Sequence, residues 1–171
     1  MYRIADLFCG AGGETTGIVQ ALDEIGERYD LAAVNHWPVA IATHSANYPD
    51  ARTYCMGLEQ LDPLEVFGAR DRIDLLWASP ECTHHSNARG GRPRSDQSRA
   101  SPWLIMKWLS ELYVHRVILE NVPEFEDWGP LGVDGKPLQS RKGELFRAFV
   151  DALKAMGYRV ETHGQKAFNG V

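Results

Sequence analysis

Asp6-Leu7-Phe8-Cys9-Gly10-Ala11-Gly12-Gly13 decides how the rest of this chain is read. An apolar run over residues 3–8 ends in a cluster of small residues, and a helix-period segment over residues 14–25 begins directly after it. A strand that passes through glycines into a helix brings backbone close to a ligand and aims the helix's free N–H groups at it. Such a loop suits a nucleotide-like cofactor with a carboxylate; a tight turn without a ligand is the plain alternative. The dinucleotide pattern GxGxxG is not met, because Thr15 stands where the third glycine would be, and NAD is therefore disfavoured.

Working outward, further short apolar runs at residues 31–35, 53–56, 73–78, 116–120 and 158–162 alternate with helix-period segments at 38–47, 102–113 and 144–156. That alternation predicts an α/β fold, a doubly wound, mostly parallel sheet of six strands with helices on both faces. Ser101-Pro102 reads as a helix start, with serine as cap and proline in the first turn. Two segments lack periodicity, residues 79–99 and 121–142, and each follows a predicted strand. Ligands of open α/β sheets bind at the carboxyl ends of the strands, so these loops lie where chemistry is expected.

With 171 residues the chain fits one domain, residues 1–171, large enough for a core without disulfides or a structural metal. Its net charge of -5 argues against non-specific coating of nucleic acid, which calls for surplus Lys and Arg. The three cysteines at 9, 55 and 82 do not read as a disulfide framework, and no secretory leader or membrane-length apolar run stands out. A cytoplasmic setting is expected.

The strand at 73–78 runs into Ser79-Pro80-Glu81-Cys82-Thr83-His84-His85-Ser86, which presents Cys82 on a loop at the ligand edge. A thiol there becomes nucleophilic when nearby positive charge or N–H donors favour its thiolate; His84, His85, Arg89 and Arg92 are near in sequence. An inert buried cysteine remains an alternative. Adjacent histidines without a second ligand pair lack zinc spacing, and no metal is expected. Arg116-Val117-Ile118-Leu119-Glu120-Asn121-Val122-Pro123 delivers Glu120 and Asn121 at the end of another strand, where burial would raise the carboxyl pKa. A surface ion pair is the competing reading of Glu120.

Taken in order, these segments resemble the cytosine-C5 DNA methyltransferase family over nearly the whole chain. Asp6 to Gly13 is similar to its DLFxGxGG loop, Pro80 and Cys82 to its proline-cysteine motif, and Glu120-Asn121-Val122 to its ENV motif. The wording SPECTHHS is similar to a branch common in phage and bacterial genomes. The resemblance implies a Rossmann-like fold of the S-adenosylmethionine-dependent type. It implies that Phe8, Cys9, Gly10, Ala11, Gly12, Gly13 and Pro80 contact S-adenosylmethionine, with Asn35, His36 and Trp37 near its ribose and adenine. It also implies that Cys82 attacks C6 of a flipped-out cytosine in double-stranded DNA while Glu120 holds N3. Ser86, Arg89, Arg92, Arg94 and Asn121 become candidate DNA contacts, since residues 83–99 hold four arginines and one aspartate.

Three departures accompany the resemblance. Glu81 splits the usual proline-cysteine pair. Asn35 or His36 stands where a ribose-binding carboxylate is expected, so neutral hydrogen bonding would replace it. The sequence stops at Val171, about where the family's arginine motif begins, so a target-recognition domain and closing segment are expected from a missing part or a second chain. A tRNA cytosine-C5 methyltransferase and a non-catalytic cofactor-binding or DNA-binding remnant are the rival readings.

Overall fold

The computed structural model describes residues 1–69, 71–81, 96–133 and 135–163; the side chains of residues 96–100 are outside the description. Two compact units emerge, Met1–Pro80 with Leu104–Glu120, and Glu81–Trp103 with Asn121–Val171. Each is taken in turn.

The first unit is a five-stranded sheet in the order β3-β2-β1-β4-β5. Its strands are β1 (Tyr2–Leu7), β2 (Tyr29–Asn35), β3 (Arg52–Cys55), β4 (Arg72–Ala78) and β5 (Tyr113–Leu119). Every pairing is parallel. Between them run α1 (Gly13–Glu24), α2 (Pro38–Asn47), the single-turn α3 (Pro63–Val66) and α4 (Asp96–Glu111), of which the part from Leu104 onward belongs to this unit. The chain winds from β1 outward to β3, then crosses back to β4 and β5. Parallel crossovers are right-handed, which sets α1 and α2 on one face and the β4-to-β5 crossover on the other. This is the doubly wound α/β fold expected from the sequence.

The inner strands are apolar because both faces are covered. On β1, Ile4, Ala5, Asp6 and Leu7 are all buried, and period two puts Ile4 and Asp6 on one face, Ala5 and Leu7 on the other. Ile4 packs with Leu31 and Ala33 of β2, Ile18 and Leu22 of α1, and Ile41 of α2. Ile105, Trp108 and Leu109 of α4 are also buried, as is Leu112 just after it.

In the second unit the segment after Glu120 forms a short 3-10 helix, Pro123–Asp127, before α5 (Glu144–Ala155). Phe125 stacks on Trp128 with centroids 5.5 Å apart, and Phe149 meets Phe125, Trp128 and Trp103 edge-on. The Trp128 carbonyl accepts from Leu145 N at 3.0 Å and Phe146 N at 3.1 Å, so the loop itself satisfies the free N–H groups of α5.

Three expectations are corrected. Residues 158–162 form no strand: Tyr158 N bonds back to Leu153 O at 3.1 Å, and Val160 and Thr162 line a cavity with Phe146 and Val150 of α5, so their alternation serves a helix face. The sheet therefore has five strands among the described residues. Ser101-Pro102 does not start α4, which begins at Asp96 and carries Pro102 inside it. Its first turns continue the irregular segment as helix from Asp96 onward, where local polarity masked the period. Proline there removes one helical hydrogen bond, and the two compact units divide one residue further on, between Trp103 and Leu104.

No helix among the described residues is long and apolar enough to cross a membrane. Gly129 offers a sharp test of the second unit. A Cβ there would lie 2.4 Å from the Arg141 carbonyl oxygen, which is backbone and has little room to yield. Gly129→Ala is expected to cost about 1–3 kcal/mol, the usual range for overpacking, read as a lower melting temperature by circular dichroism. Melting at the wild-type temperature would show that the two backbone segments separate freely.

Candidate active site at the carboxyl edge of the sheet

Register assembles the site. Leu7 is level with Val34 of β2 and with Ala78 of β4, and Ala78 is level with Leu119 of β5. Four strands therefore end at nearly one level, and Phe8, Ser79 and Glu120, which follow β1, β4 and β5, share one edge with Asn35, the last residue of β2. Backbone bonds extend the row past the strands: Ser79 N donates to Leu7 O at 3.2 Å, Cys9 N to Val34 O at 3.1 Å, and Glu120 N to Ala78 O at 3.0 Å. The crevice lies where strand order reverses, between β1 and β4, the expected ligand position in such a sheet.

The glycine loop leaves β1 through Phe8, which has φ 65, a left-handed conformation that an aromatic residue rarely adopts. Gly12, with φ 102, caps α1 without a side chain, so the first N–H groups of this 12-residue helix are not capped by the chain's own hydroxyl or carboxylate. A Cβ on Gly12 would lie 2.9 Å from the Tyr48 ring and 3.2 Å from that of His44, whereas Gly10 and Gly13 face open space. Gly12 is thus required by its neighbours as well as by its backbone. Ala11 and Gly13 are exposed, and Phe8 and Gly10 half-buried.

Cys9 is different. Its side chain is fully buried in the core beneath the loop, and burial pushes its thiol far above the usual range. It is a core residue there, not a nucleophile.

At the end of β2, Asn35 Oδ1 accepts from Trp37 N at 2.9 Å, which turns the chain into α2. The Trp37 ring is 58% exposed, a flat apolar surface open to a ligand, and His36 is exposed. With its oxygen engaged, the Asn35 amide has donors to offer to hydroxyl oxygens. These features fit S-adenosylmethionine: N–H groups for its carboxylate, open glycines for its chain, amide donors for its ribose and an exposed indole for its adenine.

At the end of β4, Pro80 is buried and Ser79 Oγ donates to Glu14 Oε1 at 3.1 Å, tying the exit of β4 to the first turn of α1. Glu120 is exposed, so the burial expected for it is not found: β5 has a neighbouring strand on one side only among the described residues. Asn121 is half-buried, and its Oδ1 accepts from Val122 N at 2.9 Å. Cys82, Ser86, Arg89, Arg92 and Arg94 lie outside the described residues, as do His84 and His85. Among the described residues no group of His, Cys, Asp and Glu converges as metal ligands would.

One group escaped the sequence reading altogether. Asp6, Thr15 and His44 are each completely buried, and Thr15 Oγ1 lies 2.5 Å from Asp6 Oδ2 and 2.9 Å from His44 Nε2. The signal was present as an aspartate inside an otherwise apolar strand, and a histidine one turn beyond Ala40 and Ile41 on the buried side of α2.

The C-5 cytosine-specific DNA methylase family model matches residues 2–170. The chain belongs to this family. It is 28% identical to the Type II methyltransferase M.AgeI of Thalassovita gelatinovora, over 97% of this chain and 38% of that protein. It is 34% identical to the Type II methyltransferase M.XorII of Xanthomonas oryzae, over 92% of this chain and 34% of that protein. Among solved structures, one described as a DNA modification methyltransferase encoded within an E. coli prophage superposes with a TM-score of 0.65 at 20% identity, covering 91% of this chain and 38% of that one. The chain therefore spans between 34% and 38% of the length of these relatives.

Burial pushes Asp6 up to about 7, partly offset by the Thr15 hydrogen bond, while burial lowers His44. For Asp6 the folded value exceeds the unfolded one, so its contribution to stability is complete below about 4, falls as pH rises and is gone above about 7. For His44 the sign is opposite, with stability lost as pH falls through the mid-6 range and below. Asp6→Asn removes the first dependence while keeping an acceptor for Thr15. The variant is expected to gain on wild type by about 2–3 kcal/mol more at pH 8 than at pH 5, at ~1.4 kcal/mol per unit. Denaturant melts at the two pH values test this; equal differences would show that Asp6 is ionised throughout.

Proposed function

We propose that this chain is the cofactor-binding and nucleophile-presenting part of a DNA cytosine-C5 methyltransferase. The observation that carries the reading is the single row of strand ends, which gathers the glycine loop, Asn35 to Trp37, the Ser79-Pro80 exit and Glu120 at one edge. Family membership supplies the chemistry that such a row supports.

In this reading Phe8, the backbone of Cys9 to Gly13, Asn35, His36, Trp37 and Pro80 hold S-adenosylmethionine. Bound there, the cofactor offers an electrophilic methyl group. C5 of cytosine is a poor nucleophile until the Cys82 thiolate adds to C6, which moves electron density to C5 and N3. Glu120, exposed at the end of β5, meets N3 and shares a proton with it as that density develops. Once the methyl group has passed to C5, its bond to sulfur breaking to leave a neutral thioether, loss of the C5 proton lets the Cys82–C6 bond break, restoring the aromatic ring and the free thiolate. Because C6 cannot be reached inside a stacked duplex, the base is flipped out, at a cost of a few kcal/mol. Ser86, Arg89, Arg92, Arg94 and Asn121 contact the DNA, the arginines chiefly its phosphates. Target recognition falls to the part of the relatives' length that this chain does not span, in the cytoplasm of a bacterial or phage-infected cell.

Duplex DNA carrying 5-fluorocytosine at the target base tests this reading, because fluorine at C5 cannot leave as a proton does. With the polypeptide that supplies the remaining length present, wild-type protein and S-adenosylmethionine should give a covalent adduct mapping to Cys82. Cys82→Ser should abolish it while cofactor affinity by calorimetry stays in the same order, and Glu120→Gln should slow it on the order of 100-fold. An adduct on Cys55, or on RNA in preference to DNA, would overturn the assignment.

A further inference from the structure

We propose that the buried row His44, Thr15, Asp6 is a positioning device that holds the glycine loop and the first turn of α1 in their ligand-binding form, with the Thr15 hydroxyl at its centre. The inference rests on the reading of that loop as the cofactor site. It joins three elements: Asp6 is the last residue but one of β1, Thr15 lies in the first turn of α1, and His44 is on α2.

The direction of donation follows from the groups. An ionised carboxylate only accepts, so the single Thr15 proton goes to Asp6 Oδ2 and His44 presents Nε2–H to the Thr15 oxygen. Nδ1 of His44 is then a bare lone pair, and it is one of two atoms of the row, with Asp6 Oδ1, that are buried without a partner among the described residues. With Asp6 protonated, the same distances serve the reverse order, carboxyl to Thr15 to Nε2, and the imidazole proton moves to Nδ1. Glu14 and Cys9 face Asp6, and Tyr48 faces His44; these do not supply a competing bond to Thr15. The row therefore keeps its geometry in either state.

What it holds is strained. Phe8 and Gly12 are both left-handed, and Gly12 rests against the rings of His44 and Tyr48, whose centroids are 5.2 Å apart. Thr16, next to Thr15, donates its hydroxyl to Gly12 O at 2.8 Å and shares a hydrogen bond with the Tyr48 hydroxyl. Two buried orphan atoms make this row a poor way to gain stability alone, since an apolar trio of the same shape would avoid them. Its yield is direction: a hydroxyl between two fixed partners sets the rotation of α1 and hence where its N–H groups point.

Thr15→Val keeps the shape and removes the hydroxyl; Thr15→Ser keeps the hydroxyl. The readouts are amide exchange of Thr16, whose N–H bonds Gly12 O at 3.0 Å, and the dissociation constant for S-adenosylmethionine by calorimetry. The valine variant is expected to exchange roughly tenfold faster there and to bind about tenfold more weakly, with serine restoring both, as loss of one buried hydrogen bond implies. Valine with wild-type exchange and affinity overturns the proposal. So does a serine variant that fails to rescue. Should Thr15→Val not fold, His44→Gln, which can still donate, against His44→Leu gives the same comparison. A wild-type chain that binds no cofactor overturns the site reading instead, before any variant is made, and the exchange measurement still decides whether the row holds the loop.

Discussion

Parallel pairing is the constraint from which the rest follows. In a parallel ladder all strands point one way, so their carboxyl ends must fall together, and the level of each is fixed by hydrogen-bond register and not by loop length. Leu7 beside Val34 and Ala78, and Ala78 beside Leu119, bring together segments separated by more than a hundred residues of sequence. A one-residue slip of β4 would turn every side chain to the opposite face and move Ser79 out of the row. The loops are free to vary because the strands are not.

The same pairing keeps the loops at this edge in place. Ser79 N, Cys9 N and Glu120 N each bond a carbonyl of the preceding row, so the backbone stays ordered beyond the last strand residue. Side chains then work from a fixed base. Ser79 reaches Glu14, Asn35 turns its chain toward α2, and Gly12 sits close enough to His44 and Tyr48 that no other residue fits.

Much of this was legible in the sequence. The apolar runs at 3–8, 31–35, 53–56 and 73–78 correspond to β1 to β4, and Pro38–Asn47 matches α2 at both ends. β1 and α2 have strong local signals, glycines after β1 and proline at the start of α2. The misreadings share a different cause. Residues 158–162 alternate as a strand does, yet alternation says only that one side faces a neighbour, and here Tyr158 and Val160 are half-buried near α5. Pro102 reads as a helix start because local rules cannot weigh the residues before it against tertiary packing. Glu120 read as buried because its strand is apolar, but burial depends on whether another strand lies alongside. The Asp6, Thr15 and His44 row was invisible for the same reason: its members are 9 and 29 residues apart, and only the fold joins them.

β5 lies at the border of the sheet among the described residues, and its side chains are less enclosed than those of β1 and β2. Ile118 is 39% exposed and Tyr113 65% exposed. His115 and Arg116 are the strand's main polar interruptions on that stretch. A charged substitution at Ile118 would therefore change the surface charge near Glu120 without touching the enclosed faces of β1 and β2.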